Sequence, residues 1–335
     1  RITIMKEYQA IGNAASGSIR FNTDSSKLEI YNGEAWFEID STSPELQTGG
    51  TRGMQFGGEA PTYVNNFFNI SSTGNAASFG SLASNRMFCS ATASRTRAIV
   101  DSGEGSMTNR EFFTIASGGG GTSFGSCYNH RSATAFGSQT RGVFGGGNDF
   151  STYGINTIEY VTISTEGAGV DYGDLYVKAN GTDGFSDQTR GVFCGQYNPY
   201  TATSHYLTIA SGGTTSDFGD LSQHTRFQGA CSNSTRGMNG GGYTQTSPNR
   251  TNAIDICTIQ TLGNFTSFGD LTSIRSHMSA AASPTRAVFF GGETPSKVNT
   301  MDYVQFASKG NAIDFGDLTA SMYTSGGTSN GHGGL

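Results

Sequence analysis

Short apolar segments separated by glycine-rich or polar stretches recur along this chain. The run "RGVFGGG" (Arg141 to Gly147) is apolar and ends in glycines, which predicts a strand followed by a loop. The next run, "NTIEYVTI" (Asn156 to Ile163), is rich in β-branched and aromatic residues and predicts a second strand. "DYGDL" (Asp171 to Leu175) predicts a short third strand that begins from a turn. Small-residue segments such as "HMSAAASP" (His277 to Pro284) predict a fourth.

Two sequence anchors repeat six times in the same order. The first is a Thr-Arg pair, found at Thr51-Arg52, Thr96-Arg97, Thr140-Arg141, Thr189-Arg190, Thr235-Arg236 and Thr285-Arg286. The second is an aromatic-glycine pair, found at Phe79-Gly80, Phe124-Gly125, Tyr172-Gly173, Phe218-Gly219, Phe268-Gly269 and Phe315-Gly316. An apolar residue lies nine positions before each aromatic, at Ile70, Ile115, Ile163, Ile209, Ile259 and Phe306.

Length variation is confined to one segment of each repeat. The distance from the arginine to the apolar residue is 18, 18, 22, 19, 23 and 20 positions, whereas the distance from there to the aromatic is constant. Insertions are tolerated in surface loops and not in packed strands, so this segment is a loop. Four strands in roughly 47 residues is the period of a β-propeller blade. The repeats therefore predict an all-β, six-bladed propeller over residues 46–335.

The last residues, "SNGHGGL" (Ser329 to Leu335), align with "SNSTRGM" (Ser232 to Met238). This alignment places His332 and Gly333 in the Thr-Arg positions, directly after a small-residue strand, "MYTSGGTS" (Met322 to Ser329). The first repeat has no small-residue strand before Thr51. We therefore expect the C-terminal strand to complete the first blade and close the ring, which removes an exposed sheet edge.

The order of these motifs resembles a kelch repeat, with its double glycine and its downstream tyrosine and aromatic residue. The segments "TRGVFGGG", "NTIEYVTI", "DFGDL" and "SNGHGGL" are similar to kelch-type propellers in structural proteins of marine bacteriophages, including cyanophages. The resemblance covers about residues 51–335 and departs from kelch in having no tryptophan in the repeats. It implies a virion protein, such as a tail fibre or capsid appendage on the particle surface, that acts in host recognition.

Residues 1–45 differ from the repeats. "GSIRFNTDSSKLEIYNGEAWFEI" (Gly17 to Ile39) predicts a meander of three strands joined at "TDSS" and "NGE", and it contains Trp36, the one tryptophan of the chain. Short modules of this kind resemble those beside stalks and knobs in phage fibres. We expect this module to attach the chain to other virion proteins, because so small a sheet buries little area alone. A homo-oligomer in the particle is expected.

Composition and motifs argue against several function classes. The net charge of −6 and the lack of a basic run give no reason to expect nucleic acid. No stretch approaches the roughly 20 apolar residues of a membrane span, and no signal peptide is visible. The chain opens with Arg1 instead of Met, which suggests a fragment, a processed product or an incompletely determined sequence. The five cysteines and five histidines show no metal-ligand spacing, so no cofactor or metal is expected and the cysteines are interpreted as core residues.

The repeated arginines are paired in this interpretation with Asp174, Asp220, Asp270 and Asp317, which follow the turn predicted at each aromatic-glycine pair. We expect both sets at the same end of the blades, joined by ion pairs or by bonds from side chain to backbone. A ligand-binding ring of arginines is the alternative. Residues that recur in every repeat are explained by the repeated structure, so a structural role is favoured for these arginines.

Recognition is expected instead in the loops whose length varies between repeats. Their tyrosines and polar residues combine rigid aromatic area with adaptable hydrogen bonding. The candidate partner-binding residues are Asp149, Tyr153, Tyr197, Tyr200, Tyr243, Arg250 and Lys297. The predicted function is non-enzymatic binding of a host-surface glycan or protein. Two alternatives stay open: an architectural protein that contacts only neighbouring subunits, and a propeller enzyme that degrades polysaccharide, which two convergent carboxylates in a central pocket would favour.

Overall fold

A computed structural model describes residues 14–23, 27–38, 50–59, 64–196 and 200–335. These residues form strands, turns and loops, and none of them belongs to a helix that is long and apolar enough to cross a membrane. The chain divides into two compact units, Arg1–Gln47 and Thr48–Leu335. The boundary predicted from the sequence lies after residue 45.

The first unit contains a three-stranded antiparallel sheet made of β1 (Ile19–Asn22), β2 (Lys27–Tyr31) and β3 (Trp36–Glu38). The predicted turn at "NGE" joins β2 to β3, and most of the "TDSS" turn lies outside the described residues. Strand alternation divides the side chains between two faces. Arg20, Glu29 and Trp36 lie on one face, where Arg20 pairs with Glu29 and stacks on the tryptophan ring. The opposite face carries five exposed apolar side chains, those of Ile19, Phe21, Leu28, Ile30 and Phe37.

The second unit contains repeated antiparallel sheets of four strands, six of them among the described residues. Sheet 1 contains β4 (Arg52–Phe56), β5 (Val64–Asn69) and β6 (Ala77–Ser81). Sheet 2 contains β7 (Ser90–Ala93), β8 (Arg97–Asp101), β9 (Asn109–Thr114) and β10 (Thr122–Ser126). Sheet 3 contains β11 (Thr134–Gly137), β12 (Arg141–Gly145), β13 (Ile155–Thr162) and β14 (Val170–Ala179).

The remaining sheets follow the same order. Sheet 4 contains β15 (Asp183–Ser186), β16 (Arg190–Cys194), β17 (Thr203–Thr208) and β18 (Ser216–Asp220). Sheet 5 contains β19 (Gly229–Ser232), β20 (Arg236–Gly240), β21 (Ala253–Thr258) and β22 (Thr266–Asp270). Sheet 6 contains β23 (Ser279–Ala282), β24 (Arg286–Phe290), β25 (Thr300–Gln305) and β26 (Ile313–Asp317). The last strand, β27 (Gly326–Ser329), pairs with β4 and is the first strand of sheet 1, whose order is β27-β4-β5-β6.

Each sheet begins with a small-residue strand, the one that the sequence analysis counted as the fourth, and we call it the first strand of its sheet. The sheets pack side by side through these first strands, which are β7, β11, β15, β19, β23 and β27. Each contacts two others: β11 contacts β7 and β15, β19 contacts β15 and β23, and β27 contacts β23 and β7. Their second residues are all alanine or glycine, which lets the backbones approach closely. This all-β arrangement of four-stranded sheets is consistent with a β-propeller-like fold.

The aromatic-glycine pairs connect neighbouring sheets. The prediction that these pairs form turns is wrong, because each lies inside the fourth strand of its sheet, as Phe218-Gly219 does in β18. A Cβ on Gly219 would overlap the backbone carbonyl of Gly263 in sheet 5. The amide of Gly263 in turn donates to the carbonyl oxygen of Phe218, with 2.9 Å between N and O. The glycine repeats because the neighbouring backbone occupies the space that a side chain would need.

The repeated arginines also connect neighbouring sheets. Arg190 donates from Nη1 to the carbonyl oxygen of Ile259 in sheet 5 at 2.8 Å and stacks on Tyr206 of its own sheet. Arginines 52, 97, 141, 236 and 286 reach the equivalent carbonyls of the next sheets. Bonding from side chain to backbone is therefore the role that the structure gives them.

The expected pairing of these arginines with the repeated aspartates is wrong. Arg190 lies opposite Thr208 at one end of β17, whereas Asp220 lies opposite Thr203 at the other end. The error has the same origin as the misplaced turn: the aromatic-glycine pair continues the strand and carries the aspartate to the far end. We call the end with the arginines the turn end, and the end with the variable loops and the connections between sheets the loop end.

Residues 331–335 do not continue into a turn of the repeat. The side chain of Asn330 accepts a hydrogen bond from the amide of Arg52 at 2.9 Å, as Asn233 does from Arg236 within sheet 5. Arg52 thus takes the place that the alignment gives to Gly333. The segment then crosses the turn end of the first strands: His332 Nε2 lies 2.7 Å from the carbonyl oxygen of Ala93, and the amide of Gly333 donates to Ser232.

Candidate functional site

The loop ends of sheets 4, 5 and 6 hold a continuous strip of aromatic and charged side chains, which we call the Tyr-Arg strip: Tyr200, Arg226, Tyr243, Arg250 and Glu293. The Arg226 guanidinium lies 4.6 Å from the ring centroid of Tyr243 and 5.7 Å from that of Tyr200. On the other side of Tyr243, Arg250 bonds Glu293 at 2.6 Å. Tyr200 is 39% exposed at one end of the strip, so an aromatic surface is open there.

Backbone pairing fixes this strip. Tyr243 bridges to both Arg226 and Arg250, and Glu293 bridges to Ser276 and Lys297. Tyr243 and Glu293 each follow a double glycine at the end of a second strand. Gly241 and Gly242, before Tyr243, have positive φ, which turns the chain there. The aromatic and cationic groups are therefore held by backbone hydrogen bonds as well as by their side-chain contacts.

Lys297, Asp149 and Tyr153 are not part of the strip. Lys297 bonds Glu59 at 2.8 Å and lies over the ring of Tyr323. Asp149 and Tyr153 belong to the loop of sheet 3, where Tyr153 is 73% exposed. Hydrogen bonds from Thr152 and Ser151 lower the pKa of Asp149 to about 2. Tyr197 lies outside the described residues. The structure thus brings Tyr200, Tyr243 and Arg250 into one strip and leaves Asp149 and Tyr153 in a separate loop.

Sequence reasoning missed six residues at the loop end, one before each first strand. They are Phe88, Ser132, Gly181, Phe227, His277 and Thr324, and all have positive φ. Backbone hydrogen bonds connect them from sheet to sheet: the amide of His277 donates to Phe227, that of Thr324 to His277, and that of Phe88 to Thr324. Their types differ from repeat to repeat, so no periodic sequence signal marks them.

Three of these residues form an aromatic lid, which we define as Phe88, Phe227 and His277. The rings of Phe227 and His277 stack with centroids 4.2 Å apart, and Phe88 lies 6.0 and 6.2 Å from the two. Burial lowers the pKa of His277, so its ring is neutral at pH 7. The three rings come from the connections to sheets 2, 5 and 6 and meet over the space between the first strands.

A central cavity of about 80 Å³ lies beneath the lid, with lining residues from the first strands of all six sheets. Alanines and glycines make up much of its wall. Asp183 is the one carboxylate among the described residues that line it, and no lysine or arginine is among them. Two carboxylates would have favoured an enzyme, and the cavity presents one.

Asp183 is fixed by backbone donors. The amide of Gly184 bonds one carboxylate oxygen and that of Ala230, in the neighbouring first strand, bonds the other, both at 2.8 Å. Burial nevertheless raises the pKa of Asp183 to about 7, because no positive side chain offsets the charge. The pKa of an unperturbed aspartate is near 4, whereas the carboxyl of Asp183 titrates near neutrality.

A second polar cluster, buried between sheets 2 and 3, also escaped the sequence analysis. Ligand-type atoms of Asp101, Cys127, His130 and Glu159 lie within 4.8 Å of one another. Arg110 lies among them and pairs with both acids, with 2.6 Å between its Nε and an oxygen of Asp101. Its guanidinium and His130 hold the pKa of Asp101 below its usual range against the effect of burial.

Position explains why this cluster was missed. Arg110 occupies the place, opposite the glycine of the aromatic-glycine pair, that Ile158, Ile254 and Met301 occupy in other sheets. A charged residue at an apolar position of the repeat was the available signal. The interpretation of the cysteines as core residues holds for Cys89, Cys194, Cys231 and Cys257, which are buried, whereas Cys127 is half-buried in this polar cluster.

No family model matches this chain, and no curated protein matches it either.

Proposed function

We propose that the second unit is a six-bladed kelch-like β-propeller closed by its C-terminal strand. The pairing of β27 with β4 supports this architecture, as do the contacts of β27 with the first strands of sheets 2 and 6. Further support comes from the junction between sheets 6 and 1. Arg286 reaches Ile70 there, and Gly316 packs on Gly74, as the equivalent residues do between sheets that are consecutive in the chain.

The function that this arrangement supports best is non-enzymatic recognition of a surface glycan or protein through the loop end. The Tyr-Arg strip carries this proposal. Tyrosine rings beside guanidinium and carboxylate groups offer an apolar surface for the face of a sugar or a side chain, with charge-assisted hydrogen bonds at its border. Because backbone bridges hold Tyr243, little conformational entropy is lost when a partner binds.

The first unit is proposed to attach the chain to other proteins of a virion, as a tail fibre or capsid appendage. The resemblance of the repeats to phage propellers supports the location. The apolar face of the three-stranded sheet supports the attachment, because Phe21 and Ile19, about 60% exposed, contribute to a surface too apolar to remain solvated. Burial of this face by a neighbouring subunit would stabilise a sheet that is otherwise marginal.

The proposed recognition is tested with the labelled chain on a glycan array and on host cells. Tyr153→Ala and Tyr200→Ala, combined in one variant, should lower binding at least tenfold with little change in Tm, because both rings are exposed. Thr140→Ala is the control, since Thr140 is exposed at the turn end. If the control abolishes binding and the tyrosine variant binds normally, the loop end is the wrong surface. Cleavage of host polysaccharide by the chain would instead establish the enzyme.

A further inference from the structure

We propose that the central cavity binds a small organic ammonium group, with Asp183 as its counter-ion and the aromatic lid as its outer wall. This inference goes beyond the proposed recognition by the loops, because it concerns the central cavity lined by the first strands. The ligand is identified by its chemistry: a primary or methylated ammonium head group, free or carried by a larger molecule.

The charge of the cavity favours a bound cation. Asp183 is a carboxylate in an interior lining that contains no lysine or arginine among the described residues. Asp183 is half-buried, and a carboxylate partly removed from water without a positive partner is disfavoured, a cost that two backbone donors offset only in part. Its pKa near 7 is a consequence of this imbalance. A bound cation would supply the missing charge and keep the group ionised.

The hydrogen-bonding groups of the wall match an ammonium ion. Ser90 Oγ, Gln228 Oε1 and Thr324 Oγ1 belong to residues that line the cavity and are more than nine-tenths buried, and none of these atoms has a hydrogen-bond partner. Each is able to accept a hydrogen bond. An ammonium group with N–H donors would satisfy acceptors that folding leaves unpaired, in addition to the carboxylate.

The lid favours an organic cation over a metal ion. Phe227 lies directly above the carboxylate side of the cavity: its ring approaches Gly181, two residues before Asp183, and Ala230, three residues after it, donates to Asp183. Aromatic faces attract ammonium groups and their methyl substituents. A calcium ion, in contrast, takes 6–8 oxygen ligands and usually several carboxylates, and this lining offers one carboxylate.

Size limits the ligand to a head group. A cavity of about 80 Å³ has room for a few water molecules, and methylammonium is of that size. The positive φ of Phe88, Phe227 and His277 and their backbone bonds fix the lid at the level of the main chain.

The test is titration of the full chain with methylammonium chloride and tetramethylammonium chloride, followed by calorimetry and by Tm, with sodium chloride as the ionic-strength control. Methylammonium should bind and raise Tm by a few degrees, and Asp183→Asn should abolish both effects. Asp174→Asn is the matched control, because Asp174 is an exposed aspartate outside the cavity. Phe227→Leu, which keeps an apolar side chain but removes the ring, should weaken binding several-fold.

The pH dependence provides a further readout. His277 lines the cavity with Asp183, and the thiols of Cys194 and Cys231 lie near the carboxylate. Because His277 is neutral, ionisation of Asp183 should govern binding, and affinity should rise about tenfold between pH 6 and pH 8. Equal binding by wild type and Asp183→Asn, or no binding of either ammonium ion at pH 8, overturns the proposal. Binding of calcium alone overturns the assignment to an organic cation.

Discussion

Arg286 of sheet 6 donates from Nη1 to the carbonyl oxygen of Ile70 in sheet 1, with 3.2 Å between the two atoms and 216 positions between the residues. The same guanidinium reaches Ser71 and lies 4.8 Å from the ring centroid of Tyr303. The contact repeats the one that Arg190 makes with Ile259 in the next sheet along the chain. A motif that is local in the sequence therefore joins the two ends of the second unit.

Arg286→Ala should lower the free energy of unfolding by about 1–2 kcal/mol, because two charge-assisted hydrogen bonds and a cation–π contact are lost at a half-buried site. The free energy of unfolding of Arg286→Lys should lie between those of Arg286→Ala and wild type, since lysine keeps the charge but not the planar donor pair. Chemical denaturation measures the change. Lys309→Ala, at an exposed position, controls for loss of a positive charge. Equal stability of Arg286→Ala and this control would contradict the structural role.

Deletion of residues 322–335 should cause aggregation or unfolding, because β4 would lose its partner strand and expose a sheet edge. Light scattering and thermal denaturation measure the outcome. Deletion of residues 1–38 is a control truncation within the other compact unit and leaves β4 paired. A chain without residues 322–335 that stays monomeric, with an unchanged Tm, would show that β27 does not complete sheet 1.

Acidification from pH 7 to pH 5 should destabilise the chain through His332. Its Nε2 donates to Ala93 and its Nδ1 accepts from the amide of Gly334, an arrangement that only the neutral ring allows. Burial, with a contribution from Arg95, lowers the pKa of His332 to about 4. The unfolded chain binds a proton near pH 6.5, so stability is present above that value and falls as the pH drops towards 4.

The measurement is Tm against pH for the wild type and for His332→Gln. The difference in Tm between the two should shrink as the pH falls from 7 to 5, since glutamine does not titrate. A difference that is constant over this range would mean that the pKa of His332 is not lowered by folding.

Arg110→Met should destabilise the chain by about 3–5 kcal/mol, because it leaves Asp101 and Glu159 buried without their positive partner. Adding Asp101→Gly copies the side chains at the equivalent positions Met301 and Gly240 and should recover part of the loss. A double-mutant cycle with the three variants gives the coupling energy. Additive effects of the two substitutions would contradict direct ion pairing.

The sequence by itself determined the strands and their order. The β-branched and aromatic runs, the glycines that end strands, the small-residue segments and the constant nine-residue spacing are local properties, so they predict four strands in each repeat. The strand before Thr51 is the instructive case: its absence near the first repeat and the extra strand near the end predicted the pairing of β27 with β4.

The tertiary structure decided what the repeated motifs do and where chemistry is concentrated. A turn was predicted at Phe218-Gly219, but the pair lies inside β18, and the backbone of Gly263 in the next sheet is the reason for that glycine. Asp183 and Phe227 lie in different repeats and belong to no periodic motif, so only packing of the first strands places them at one cavity. Burial, which no local pattern encodes, then turns an ordinary aspartate into a group that titrates near pH 7.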